Sequence, residues 1–171
     1  GMNPRLFSYF EEFPCFYPTP QHTIQKRIIL KVSDYRSALI QGQQLAKKGL
    51  WVSEYRIESG LNCGGHAFAT DGLLLGPILK TFNENKATLV ATTHELLCKA
   101  LEKKNQFVPE RPLELKITAQ GGVGTAQEHD FLLKHYQLDS VGWGSPFLLV
   151  PEATSTDIDT RKLLANATED D

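Results

Sequence analysis

Apolar positions along the chain change spacing several times, and the changes mark the elements. Lys26 to Val32 holds a short β-branched run ending at Ser33, which predicts a strand buried on both faces. Ser33 or Asp34 then caps a helix over Tyr35 to Lys48, where Ala38, Leu39, Leu45 and Ala46 recur at roughly helical spacing and Gly49 stands at the C-terminal position. A second strand is predicted over Leu50 to Ile57, followed by a glycine-rich turn from Ser59 to Gly65. Helical material follows from Leu73 to Phe82 and again from Leu89 to Lys104, and Pro109 and Pro112 end it. The third strand, Leu113 to Ala119, runs into Gln120-Gly121-Gly122-Val123-Gly124, and Thr125-x-x-Glu128 has capping-box spacing for a helix over Ala126 to Tyr136. A fourth strand spans Ser140 to Trp143, and a polar helical stretch runs from Asp157 to Ala167. Asn3 to Pro20, rich in Phe, Tyr and Pro, reads as an irregular arm whose aromatics cover apolar surface on this chain or on a neighbour.

Strand and helix alternate about four times with no hairpin signal, so the strands are parallel and joined by right-handed crossovers. The fold class is α/β, built of about four parallel (β/α) units. The predicted organisation is an arm over 1–24, a half-barrel over 25–155 and a polar helical tail over 156–171.

Sheets of this kind place ligands at the C-terminal ends of their strands, where three of the four ends here carry glycine. Gly121-Gly122 before the helix at Thr125, and Gly142-x-Gly144-Ser145 after the next strand, would form two halves of a phosphate cradle, using backbone N–H groups and the helix dipole. The same glycines would also serve tight β–α turns. The spacings of a dinucleotide fingerprint or a P-loop are absent. In Asn62-Cys63-Gly64-Gly65-His66 an imidazole follows a flexible turn, which makes His66 the acid/base candidate or, equally, a structural hydrogen-bonder. Cys63 reads as a structural thiol. His94, His129 and His135 fall at ordinary helical surface positions, and no metal-ligand spacing occurs.

With 171 residues and 41% hydrophobic content the chain is a single globular domain, and its formal charge of -2 gives no global attraction for nucleic acid or an acidic membrane. Three widely spaced cysteines suggest no disulfide framework, and no secretory or membrane-spanning pattern is present. A cytoplasmic protein is expected.

Gly60-Leu61-Asn62-Cys63-Gly64-Gly65-His66, then Ala119-Gln120-Gly121-Gly122-Val123, then Val141-Gly142-Trp143-Gly144-Ser145-Pro146-Phe147-Leu148, resemble in order three motifs of the nitronate monooxygenase (2-nitropropane dioxygenase-like) group of FMN-dependent TIM barrels. Glu152 matches a glutamate soon after the third. Asn62-Cys63 stands where the family has Glu-Ala, Gln120 where it has Ala, and Ser145-Pro146 where it has Thr and a variable residue. The resemblance implies an FMN-dependent oxidoreductase, or the flavin-phosphate-binding half of one. FMN phosphate would lie against Gly121, Gly122, Gly142, Gly144 and Ser145, with His66 as the base at the flavin and Asn62 and Gly65 on the substrate. The alternative is a non-redox phosphate-ligand-binding or assembly module derived from such a barrel. The resemblance covers about residues 25–155 and implies parallel (β/α) units corresponding to the C-terminal half of a TIM barrel, which ordinarily needs ~250 residues. A homo-oligomer, or association with a missing half-barrel, is therefore the expected partner state, alongside a small-molecule substrate.

Overall fold

The computed structural model describes residues 3–58, 75–121, 123–153 and 155–167, with Ser145 and Leu148 described by backbone alone. Four parallel strands, β1 (Ile28–Val32), β2 (Val52–Ile57), β3 (Lys116–Gln120) and β4 (Ser140–Gly142), form one sheet in the order β1-β2-β3-β4. Between them run α2 (Tyr35–Ala46), α3 (Leu75–Lys103) and α4 (Ala126–His135); α1 (Pro4–Phe10) precedes the sheet and α5 (Ile158–Asn166) follows it. The class is α/β with an all-parallel sheet, as the alternation of patterns requires.

Sequential order has a geometric consequence. When each right-handed crossover moves one strand in the same direction, the connecting helices lie on the same face. Leu30, Tyr55 and Ile117 are aligned across three strands on that face, as are Val32, Ile57, Ala119 and Val141. With Leu79, Phe82 and Leu89 of α3 they belong to the main core. On the opposite face Lys31, Arg56, Thr118 and Ser140 are aligned, as are Gln120 and Gly142. The expectation that β1 is buried on both faces is therefore corrected: Ile28, Leu30 and Val32 are buried, Lys31 is exposed and Ile29 is 50% exposed. Strand β1 is an edge strand.

Two further expectations change. The helical material after β2 is one continuous 29-residue helix, not two. Its buried positions Leu79, Phe82, Leu89, Thr93, Leu97 and Leu101 keep a single helical period through the polar stretch 83–88, which contains no Gly or Pro. That stretch is a solvent-facing turn, with Asn85 donating to the Thr81 carbonyl. The arm is also ordered. Asn3 accepts from the Arg5 and Leu6 amides, Pro4 occupies the first helical turn where its missing N–H costs nothing, and Pro14 opens a short 3₁₀ turn, Pro14–Phe16. Four of its aromatics cover this chain: Phe7 is buried in the main core, Phe10 and Phe16 pack against it, and Tyr17 joins a second cluster with Trp51, Leu97 and Leu101, while Tyr9 and Phe13 are exposed.

One carboxylate clasps the arm to the body. Glu11 pairs with Lys48 at 2.7 Å and Lys104 at 2.6 Å, while the Tyr17 hydroxyl donates to the Glu11 carbonyl at 2.8 Å. Helix α2 starts at Asp34, whose carboxylate accepts from the Ser37 amide at 2.7 Å. It ends in a Schellman pattern: Gly49 donates to Ala46 O and Leu50 to Leu45 O, with Gly49 at φ +80.

At the α2–sheet contact a Cβ built on Gly42 would stand 2.0 Å from the Tyr55 hydroxyl oxygen and 3.2 Å from its ring carbon. That hydroxyl is buried with no hydrogen-bond partner among the described residues, and burial together with Tyr35 pushes its pKa well up. Gly42→Ala should therefore lower stability by about 1–3 kcal/mol in urea unfolding. Tyr55→Phe, which removes an unpartnered polar atom, should be neutral or stabilising, and the double variant should recover most of the loss.

Burial raises the Glu11 pKa, but hydrogen bonds and charge from Lys104 and Lys48 outweigh it, so the carboxyl titrates below its ordinary value. A carboxylate depressed by folding stabilises the fold above the unfolded value of ~4.3, and that contribution disappears as pH falls through the folded value. Glu11→Gln should lower the thermal midpoint at neutral pH, and the gap from the parent should close progressively as pH drops below about 4.

Candidate ligand-binding face

The C-terminal ends of β3 and β4 lie side by side, so the two glycine motifs meet as expected. Gly121 has φ +86, a backbone state that favours glycine, and its N–H donates to Gly142 O at 3.1 Å. A Cβ on Gly142 would press the Gln120 side chain at 3.3 Å, whereas the space over Gly144 is open. Ser145 begins the 3₁₀ turn Ser145–Leu149. Gly122 lies outside the described residues, as do Asn62, Cys63, Gly65 and His66.

The start of α4 decides what this corner can hold. Thr125 and Glu128 form the predicted capping box. The Gly124 and Thr125 amides donate to Glu128 Oε2 at 2.8 and 2.9 Å, and the Glu128 amide donates to Thr125 Oγ1 at 3.2 Å. These bonds, from the Gly124 amide first and then Thr125, hold the Glu128 carboxyl below its usual range. The helix therefore already carries an anion at its N-terminus, and a phosphate there would have to displace a like charge. The Gly121 amide is engaged as well, so among the described residues the amides of Gly121, Gly124 and Thr125 already have acceptors. Gly144 alone offers an open approach.

A tryptophan joins the end of β4 to α4. Trp143 Nε1 donates to His129 Nδ1 at 2.9 Å, so His129 carries its ring proton on Nε2. His129 reads from sequence as an ordinary surface histidine of the helix; the missed signal was the indole N–H directly after β4.

The larger feature is the sheet face away from the helices. Glu54 Oε1 accepts from Thr118 Oγ1 at 2.8 Å, from Arg56 Nη2 at 3.0 Å and from Arg56 Nε at 3.2 Å, bridging β2 and β3. Lys31 pairs with Glu58 at 2.8 Å, and the Glu58 side chain is only 12% exposed. Thr118 is buried. None of these residues stood out as candidates from sequence, although polar residues at every second position of β2 and β3 are the signature of this face.

Elsewhere, Cys98 Sγ lies 3.6 Å from His94 Nε2 and 3.7 Å from the Pro109 carbonyl. Burial, with Glu102 nearby, pushes the thiol up, and burial pushes the imidazole down. Both groups are neutral near pH 7, which is the opposite of a thiolate–imidazolium pair. Among the described residues no group of three His, Cys, Asp or Glu side chains is placed to hold a metal ion, and no helix is long and apolar enough to cross a membrane.

Thr125→Ala should cost about 0.5–2 kcal/mol in chemical unfolding. Glu128→Ala should expose the Gly124 and Thr125 amides, so added inorganic phosphate should raise the thermal midpoint of this variant by more than it raises that of the parent. No protein-family model matches the sequence, and no curated protein matches it.

Proposed function

We propose that this chain is a non-redox binding module of half-barrel form, whose open sheet face holds a small anionic ligand and whose sheet is completed by association. One observation carries the reading: a single Glu54 oxygen gathers three donors from two strands on the face away from the helices. A face that only needed to be wetted would not require its charges fixed to each other. Glu54, itself held by Thr118, takes the Nε and Nη2 donors of Arg56 and fixes the guanidinium, which leaves Nη1 to meet a phosphate or carboxylate oxygen. Lys31 lies on the neighbouring strand in register with Arg56, with its ammonium paired to Glu58. Gly144, with open space above it, gives a ligand room to approach from the β4 end. Cys15 and Cys98 are free thiols, in keeping with a reducing compartment such as the cytoplasm.

The flavin reading is the competing one, favoured by left-handed Gly121 and the open approach at Gly144. A thermal-shift and calorimetric titration with inorganic phosphate, sugar phosphates, small dicarboxylates and FMN separates the two. The expected outcome is a saturable shift with one of the non-flavin anions, weakened about tenfold or more in Arg56→Ala, with FMN's visible spectrum unchanged. FMN taken up with a perturbed spectrum would overturn the reading in favour of the oxidoreductase, and no response to any anion would overturn it outright.

A further inference from the structure

The two edges of the sheet carry complementary surfaces. Beside β1, the arm and the edge strand enclose an open groove of about 550 Å³ with Leu6, Phe10, Phe16 and Ile29 among its walls and Lys26 and Arg27 at its rim. Beyond β4, the chain continues through the turn Ser145–Leu149 into α5, which packs against that turn and buries none of its residues. Leu149, Ile158 and Leu163 are 44, 62 and 73% exposed.

The (β/α) rule says where such a segment belongs. The helix after each strand packs toward the next one: α2, after β1, contacts both β1 and β2, and α4, after β3, contacts β4. By the same rule the segment after β4 belongs over a strand on the outer side of β4. Strand β1 is an edge strand with an apolar groove beside it.

We propose that a second copy of this chain supplies the missing neighbour, β4 of one copy pairing in parallel with β1 of the other while the 145–167 segment seats in the groove. Charge favours this occupant. The rim offers Lys26 and Arg27, the latter within 3.8 Å of Glu114, and the seated segment is net acidic, with Glu152, Asp157 and Asp159 against Arg161 and Lys162. Two such junctions related by a twofold axis bring eight strands together, the number at which a parallel sheet closes and its edges disappear. The Glu54–Arg56–Thr118 wall of each copy then faces the other across the interior. The inference rests on reading that wall as a binding surface, and it names the partner that encloses it.

Light scattering and sedimentation of the whole chain test it. The expected mass is twice the 19.1 kDa of one chain. Ile29→Lys in the groove and Leu163→Asp on α5 should each weaken self-association at least tenfold with the far-ultraviolet circular dichroism unchanged. An equimolar mixture of the two should regain heterodimer, because one junction then joins an intact groove to an intact α5. A monomeric parent, a mass growing without limit, or variants that dimerise like the parent would overturn the proposal. The anion titration keeps the two readings apart: a monomer that still binds its anion through Arg56 removes the second copy alone, and a dimer that binds none removes the ligand reading alone.

Discussion

Everything in this molecule follows from the handedness of its crossovers. Each strand lies next to its predecessor, so every connecting helix is carried to the same side, and the sheet acquires one apolar face and one polar face. The core is built on the first: Leu30, Tyr55 and Ile117, with Val32, Ile57 and Ala119, meet α2 and α3. The second face carries Lys31, Glu54, Arg56 and Thr118, and it is there that the strongest side-chain network between strands forms. A sheet wound in both directions from its centre would have covered that face with helices and left no room for such a network.

Period and punctuation made the scaffold readable. All four strands and the helices α2 and α4 are recognisable from apolar spacing, from Asp34 and Thr125 as caps and from Gly49 as a stop, and α5 from its polar helical stretch, although its Asp157 cap is not. Three elements read differently because tertiary context overrode local pattern. Strand β1 looks doubly buried because Ile29 is apolar, yet edge position leaves that side chain half in solvent. The polar stretch 83–88 looks like a break because its buried neighbours, Phe82 and Leu89, are seven residues apart, which is two helical turns on one face. The arm looks irregular because of its prolines, all of which fall in or before a first turn or outside the helix.

The candidate site was legible only in part. Glycine content drew attention to the ends of β3 and β4, and these do meet. What glycine content does not reveal is where backbone donors point. A capping box is a sequence feature in its own right, and Glu128 at its third position is an internal anion occupying the place where a bound one would go. The two signals, glycine turn and capping box, compete for the same amides. The Arg56–Glu54–Thr118 group was hidden for a different reason: its members come from two strands, with Glu54 and Thr118 64 residues apart, and converge only through register.

The clasp at Glu11 has a kinetic side. Glu11 and Lys104 are 93 residues apart in the chain, and Tyr17 meets Lys104 across 87. Contacts of such span require most of the intervening chain to be in place before they form, whereas the β1–α2–β2 unit assembles from near neighbours. By its span the Glu11–Lys104 clasp belongs with the contacts expected to close late, on a core to which Phe7 of the arm also contributes. Interactions made after the rate-limiting step leave the folding rate almost untouched and slow unfolding instead, so the N-terminal segment acts as a latch on the lifetime of the folded chain.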